Sequence, residues 1–185
     1  MDISVLDFLN SIIPISENLK IRLESILRTA EFKKKTVLLK EGQVSNYIYF
    51  IESGLIRIYY IKEDKEICSG LICEGGLAIS VKSFFNREKS DEFIETIEDT
   101  RAQYISFQEL EQLYTDFPEF NIVGRRLITQ YYVKSEDFCQ IGFDFFCLTS
   151  MDEIYITIIY FIAFEGECYR PGKNGTYCHR LAGRV

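Results

Sequence analysis

The stretch FKKKTVLLKEGQVSNYIYFIESGLIRIYY, residues 32–60, decides the fold of this chain. Runs of β-branched and aromatic residues alternate in it with the turn dipeptides Glu41-Gly42 and Ser53-Gly54. Glycine allows the positive φ that a tight turn needs, and runs of this kind between turns are typical of short antiparallel strands. The stretch therefore predicts three strands, at residues 36–39, 47–52 and 55–61.

The same alternation of short apolar runs and turn residues continues as far as Ser106. Further strands are predicted at residues 67–71, 93–97 and 102–105, with turns at 63–64 and 75–76. In the run that starts at residue 55, Ile56, Ile58 and Tyr60 share one face and Arg57 shares the other with Tyr59. This alternation is typical of a strand with one buried face, so residues 32–106 are predicted to form an antiparallel β domain.

Helices are predicted on both sides of the β domain. Residues 3–13 carry apolar residues at three- and four-residue steps and end at Pro14, and a second helix begins at Ser16 and continues to about Arg28. A short helix is predicted at 107–114. A helix of about 25 residues follows Phe117-Pro118, with one apolar stripe that includes Phe120, Val123, Leu127, Tyr131 and Phe138. The stripe either packs on its own β domain or forms the seam of a homodimer, and both can hold on different parts of one helix.

The composition limits the function classes. With 185 residues, of which 47% are hydrophobic, the chain suits one principal domain with a small appendage. Its net charge of -7 repels nucleic acid and acidic membranes, so any DNA contact has to be local. The first residues do not form a secretion signal, and the apolar run 154–164 is too short to span a bilayer. We therefore expect a cytoplasmic protein without membrane contact.

Neither metal chemistry nor catalysis is predicted. The six cysteines form no CxxC pair, and His179 is the only histidine, so the expectation is reduced thiols and no metal or cofactor. The motifs of serine hydrolases, P-loop NTPases and zinc proteases are absent from the sequence. Glu95 and Glu98 are expected to be solvated rather than an acid-base pair. The chain is therefore predicted not to be an enzyme.

Residues 32–60 and the stretch ETIEDTRAQYISFQELEQLY, residues 95–114, resemble the Crp/Fnr family of bacterial transcription regulators. The resemblance covers about residues 20–145 and lies in the glycine positions and the order of strands. It implies an α+β fold, with N-terminal helices and an antiparallel β-roll of the cyclic-nucleotide-binding type in residues 1–116. It also implies a long dimerisation helix at 117–145 and leaves residues 146–185 as an atypical C-terminal segment.

In the family that the chain resembles, a Gly-Glu-Leu-like turn offers backbone N–H groups and a carboxylate to the cyclic nucleotide, and an arginine about ten residues later pairs with the phosphate. Counting back from Ile105-Ser106 places Ser90 at the arginine position, and the carboxylate position falls near Gly76. The site is thus predicted to be degenerate: it takes no cyclic nucleotide, takes another small effector, or is filled by Phe84 and Phe85. Its predicted residues are Gly75, Gly76, Leu77, Arg87, Lys89, Ser90 and Asp91.

The last part of the chain departs from the family. Residues 147–185 are fewer than a helix-turn-helix domain needs, and their glycines and Pro171 discourage helix. One hypothesis is a truncated or frame-altered end. Residues 169–185 hold four cations and no acid, so DNA-phosphate contacts are assigned to Arg170, Lys173, Arg180 and Arg184.

The sequence therefore favours an effector-sensing regulator that forms a homodimer. The effector is an unidentified small molecule rather than a cyclic nucleotide, and DNA is a doubtful partner. The alternative is a stand-alone β-roll that serves only protein-protein contact, which predicts a dry pocket filled by side chains and no DNA binding.

Overall fold

The computed structural model describes residues 4–146, with side chains up to residue 133. Helices α1 (Val5–Ile12) and α2 (Glu17–Ile26) come first, α3 (Val81–Asn86) interrupts the strands, and α4 (Phe107–Asp116) and α5 (Pro118–Phe146) follow them. The strands are β1 (Arg28–Phe32), β2 (Val37–Leu39), β3 (Tyr47–Ser53), β4 (Ile56–Lys62), β5 (Lys65–Ile72), β6 (Leu77–Ala78), β7 (Phe93–Thr96) and β8 (Thr100–Ser106).

The predicted fold class, an α+β antiparallel β-roll with flanking helices, is confirmed. Within residues 4–146 the strands form two four-stranded sheets, in the orders β1-β8-β3-β6 and β2-β7-β4-β5, and all neighbours are antiparallel. Three short elements, β1, β6 and α3, were missed by sequence reasoning. The prediction that the second helix reaches Arg28 is wrong, because that residue already pairs with Tyr104 of β8.

Alternation along β3 creates two cores. Tyr49 and Ile51 face the second sheet, while Phe50 between them faces the helices. The core between the sheets consists of Leu39, Tyr49, Ile51, Ile56, Ile58, Ala78, Ile94 and Ala102. The core between the first sheet and the helices, called the helix-side core below, includes Leu9, Leu19, Leu23, Phe50, Phe84, Leu110, Leu113, Phe120 and Val123.

A capping box fixes the start of α4 at the end of β8. The Ser106 side chain accepts from the backbone of Glu109, and the Glu109 carboxylate accepts from the N–H of Ser106 at 2.8 Å. Partial burial acts to raise the pKa of Glu109, but these hydrogen bonds and the ion pair with Arg28 hold it below its usual value. The roll therefore passes into α4 at a defined angle.

The first half of α5 is part of the domain core. Phe120 and Val123 are 5% and 0% exposed within the helix-side core, and Leu127 packs against it. These three residues of the predicted dimer seam therefore pack on their own domain, which is the first of the two alternatives. Tyr131 is half-exposed, and Phe138 lies outside the residues whose side chains are described.

Gly124 allows α4 and α5 to approach closely. A Cβ atom at residue 124 would lie 2.5 Å from Oη and 2.8 Å from Cε1 of Tyr114. Both atoms belong to a ring that is itself packed against Phe120, with the ring centroids 5.2 Å apart. A side chain at this position would have to displace that ring.

Gly124→Ala is expected to lower the free energy of unfolding, measured by urea denaturation, by about 1 kcal/mol or more, because overpacking opposes the gain in helix propensity of up to about 1 kcal/mol. In a Tyr114→Leu background, where the ring is gone, the same change should instead raise stability. Stabilisation by Gly124→Ala in both backgrounds would contradict the close contact.

Candidate ligand-binding sites

One candidate site lies at the start of α3, in a recess of about 510 Å³ that we call the cassette recess. The end of β6 and α3 form one side of it, β4 and β5 the other, and the segment 89–92 closes it. Its lining residues are Glu41, Ile58, Tyr60, Ile61, Ser69, Ile79, Ser80, Val81, Lys82, Ser83, Lys89, Ser90, Asp91 and Glu92.

Two buried serines and a glutamate form a hydrogen-bonded cluster in the cassette recess. The hydroxyl oxygens of Ser80 and Ser90 are 3.1 Å apart, and the Ser80 hydroxyl donates to Glu92 Oε2 at 2.9 Å. Ser90 also donates to the Glu92 carbonyl oxygen and accepts from the Glu92 N–H, both at 3.0 Å. The cluster thus pairs the hydroxyls at the start of α3 and in the segment 89–92 with each other and with Glu92.

The charges in the cassette recess do not favour an anion. Lys82 forms an ion pair with Asp91, at 3.2 Å. In total the lining holds two lysines, Lys82 and Lys89. It also holds three carboxylates, which belong to Glu41, Asp91 and Glu92. A phosphate placed beside Glu92 would therefore meet a net negative surface.

The seven predicted ligand residues do not come together. Lys89, Ser90 and Asp91 line the cassette recess, and the other four lie elsewhere. Gly75 has a φ of 81° and forms the turn from β5 to β6, where its N–H donates to the Ile51 carbonyl at 2.8 Å. The sequence analysis placed the ligand-binding turn at Gly75-Gly76. The cassette recess instead lies at the start of α3, which begins only at Val81. The residues thereby excluded from the recess are Gly75, Gly76, Leu77 and Arg87.

Arg87 ends α3 instead of facing the cassette recess. Its guanidinium donates to the Ser45 carbonyl at 2.7 Å and to the Phe84 carbonyl at 3.2 Å, and it lies 4.4 Å from the centre of the Phe107 ring. Its φ of 58° is left-handed, as is common at a helix C-terminus. These contacts hold the guanidinium outside the lining of the cassette recess.

The suggestion that phenylalanines fill the cassette recess is wrong. Phe84 is fully buried in the helix-side core, with its ring 5.3 Å from that of Phe107, and Phe85 is 43% exposed. Neither ring lines the recess. Helix α3 directs both side chains away from the recess. Because this helix was not predicted from the sequence, the direction of the two rings could not be predicted either.

A second candidate site is an apolar cavity of about 560 Å³ between the first sheet and the helices, which we call the helix-side cavity. Its walls come from α1, α2, β3, β6, β8, α3, α4 and α5. They include Val5, Phe8, Leu9, Leu23, Leu27, Ile48, Phe50, Leu77, Ile79, Ile105, Leu110, Phe120, Val123, Leu127, Ile128 and Tyr131. Sequence reasoning missed this cavity, since its residues are spread from position 5 to 132 and each fits an ordinary core pattern.

The polar groups in the wall of the helix-side cavity are the Gln103 amide and the hydroxyls of Tyr104, Tyr114, Tyr131 and Tyr132. The Gln103 side chain accepts from the Val5 N–H at 3.2 Å. Burial raises the pKa of Tyr114, and it also raises that of Tyr131, where a hydrogen bond from the Leu77 backbone opposes the effect. Apart from these groups, the wall of the cavity is apolar.

A smaller recess of about 330 Å³ adjoins the helix-side cavity, and Phe8 lines both. We call it the arginine recess. Its described lining consists of Phe8, Ser11, Ile12, Arg125, Arg126, Thr129 and Gln130, so both of its charges are positive. Arg126 Nη1 donates to the Ile12 carbonyl at 2.6 Å, which ties α5 to α1.

Other predictions fall partly outside the described residues. The cations assigned to DNA, Arg170, Lys173, Arg180 and Arg184, lie beyond residue 146, so those contacts stay predictions. Of the cysteines, Cys68 and Cys73 are described and form no disulfide with each other. Among residues 4–146, no helix has the length and apolar character needed to cross a bilayer.

Comparison with known proteins agrees with this geometry. Residues 29–117 match the family model of the cyclic nucleotide-binding domain. No curated protein sequence matches the chain significantly.

Three solved structures share the fold. A cyclic nucleotide-binding domain from Methylobacillus flagellatus is 20% identical with a TM-score of 0.62, over 72% of this chain and 77% of that one. The catabolite activator protein of Thermus thermophilus is 14% identical with a TM-score of 0.59, over 76% of this chain. DNR from Pseudomonas aeruginosa is 16% identical with a TM-score of 0.59, over 77% of this chain and 66% of that one.

The match to the Thermus protein spans 63% of that protein's length. The neighbours include a catabolite activator protein and the transcriptional regulator DNR, and the likeness to them is one of fold. Residues 29–117 therefore have the fold of the cyclic nucleotide-binding domain, with structural neighbours among Crp/Fnr-type regulators.

Proposed function

We propose that this chain is the effector-sensing part of a Crp/Fnr-like transcription regulator. The observation that carries the proposal is the packing of Phe120 and Val123 of α5 in the same core as Phe50 of the roll. Because the helix and the sheet share side-chain contacts, a ligand that shifts one displaces the other. A roll built for this coupling senses an effector and passes the signal along α5.

We infer that the effector is not a cyclic nucleotide. The family resemblance places Ser90, which is buried in the cassette recess, at the arginine position, and Gly76 near the carboxylate position has no side chain to offer. The neutral Ser90 hydroxyl supplies no counter-charge, and Glu92 adds a negative charge to the same recess. Burying a phosphodiester here without a counter-charge costs at least several kcal/mol, about what micromolar binding supplies.

Isothermal titration of the full chain with cyclic AMP and with cyclic GMP is expected to show no saturable binding up to about 1 mM. The physical reason is the missing counter-charge in the cassette recess. Thermal unfolding should likewise not shift with either nucleotide. Saturable binding in the micromolar range would contradict the degenerate site.

We further propose that the chain forms a homodimer through α5. Ile122, Ile128, Tyr132 and Val133 are large apolar residues between 40% and 63% exposed on this helix. The apolar stripe that begins at Phe120 continues in the sequence to Phe138, about 27 Å further along the helix axis at 1.5 Å per residue. A helix whose first half is anchored and which still exposes large apolar side chains is suited to a second copy.

Val133→Glu is expected to shift the chain from dimer to monomer in sedimentation velocity runs, because a carboxylate would be buried in the seam. Val133 lines neither the cassette recess nor the helix-side cavity, so the fold should be kept. The matched control is Ile21→Glu, at an apolar residue that is 56% exposed on α2. Equal dissociation by both variants, or by neither, would contradict a seam on α5.

The alternative, a stand-alone interaction module, predicts a dry pocket filled by side chains and no DNA binding, whereas the proposal expects an effector to bind within the domain. Contact of the four C-terminal cations with DNA is part of the same proposal. It rests on the local charge of residues 169–185 alone, against a chain whose net charge is -7.

A further inference from the structure

The helix-side cavity has the size of a small-molecule site. At about 560 Å³ it falls within the roughly 300–1,000 Å³ typical of ligand pockets. Residues that are themselves core-buried, such as Leu23, Phe50 and Val123, form its inner wall. It is therefore a recess into the domain and not a flat apolar patch on the surface.

The chemistry of the wall selects an apolar occupant. Aliphatic and aromatic side chains dominate the lining, and the one amide, Gln103, is hydrogen-bonded to the Val5 N–H. Apolar cavities stay poorly hydrated and take up apolar molecules. The lining residues span both faces of the gap between sheet and helices, which suits an elongated chain rather than a polar ring.

The arginine recess adds charge at one end. Phe8 lines both spaces, which places the arginine recess and Arg125 next to the helix-side cavity at this ring. Arg125 and Arg126 carry the only charges in the described lining, on a chain whose net charge is -7. An anionic head group is therefore attracted here and repelled by most of the remaining surface.

We propose that the helix-side cavity binds an amphiphilic anion with an aliphatic chain, of the size of a medium-chain carboxylate. The chain lies between the sheet and α5, and the carboxylate lies at Arg125. The proposal that this molecule binds rests on the geometry and lining of the two spaces alone. The role of this molecule as the effector rests on the proposed sensor function.

The chain site is tested by titrating the full protein with decanoate and with decanol, which share the alkyl chain and differ in head charge. Both are expected to bind at one site per chain. Ile48→Phe fills the cavity from β3 and should weaken both at least tenfold, while Ile21→Phe, the same change at an exposed residue of α2, should leave both unchanged. Leu77→Phe provides a second filling variant from β6 in case the first fails to fold.

The head-group site is tested with Arg125→Gln, which should weaken decanoate by about two- to fivefold, as expected for an exposed ion pair, and leave decanol unchanged. Arg22→Gln on α2, which lines neither space, is the control and should change neither. Binding of both molecules that survives both filling variants would overturn the cavity as the site. Equal effects of Arg125→Gln on decanoate and decanol would overturn the assigned head group.

Failure of the sensor function has a different signature. If decanoate binds as predicted but changes neither the dimerisation constant nor the hydrogen exchange of α5, the ligand site is supported and the effector role is overturned. If cyclic AMP weakens the binding of decanoate, it binds to the chain, and the proposal that the nucleotide site is degenerate is contradicted.

Discussion

The burial of Phe120 and Val123 against the roll is the interaction on which the rest of the structure depends. These two side chains fix the first half of α5 over the sheet that contains β3 and β8. Gly124 lets the helix come close enough for Tyr114 to pack against Phe120. The same contacts determine which face of α5 stays exposed and how wide the gap beneath the helix remains. The anchoring of α5, the proposed dimer seam and the cavity thus depend on one packing arrangement.

The distribution of polar and apolar groups explains why the cassette recess and the helix-side cavity favour different kinds of ligand. In the cassette recess, polar groups are plentiful but satisfy one another, as the hydrogen bonds among Ser80, Ser90 and Glu92 show. A ligand there would have to replace good internal hydrogen bonds, which gains little net free energy. Beneath α5 the wall is apolar and no such exchange is needed. The hydrophobic effect then favours binding in proportion to the apolar area removed from water.

Much of the fold could be predicted because its signals are local. Period-two alternation and glycine turns placed the strands of residues 36–105, and Pro118 marked the start of α5. Alternation correctly placed Tyr59 on the same face as Arg57. It did not predict that Tyr59 is buried there, which results from stacking on Phe93 with the ring centroids 4.9 Å apart. Alternation predicts the face of a residue, while tertiary contacts decide its burial.

The site could be predicted only in part, since its geometry is not local. Consecutive glycines at 75 and 76 favoured a ligand turn, yet Gly76 is required because a Cβ there would lie 2.7 Å from Ile72 Cγ2. An apolar stripe at helical spacing likewise does not distinguish a domain core from a dimer seam, so Val123 fitted both. The helix-side cavity depends on distances between elements far apart in the sequence, which no pattern of spacing contains.

Hydrogen exchange of the backbone amides in the full chain, with and without decanoate, tests the central claim that α5 is anchored in the sensor core above a ligand cavity. The account predicts that amides of residues 120–127 exchange as slowly as those of β3 and slow further when decanoate is added, with the amides of 80–92 unchanged. Rapid exchange at residues 120–127, or protection by the ligand confined to 80–92, would contradict it.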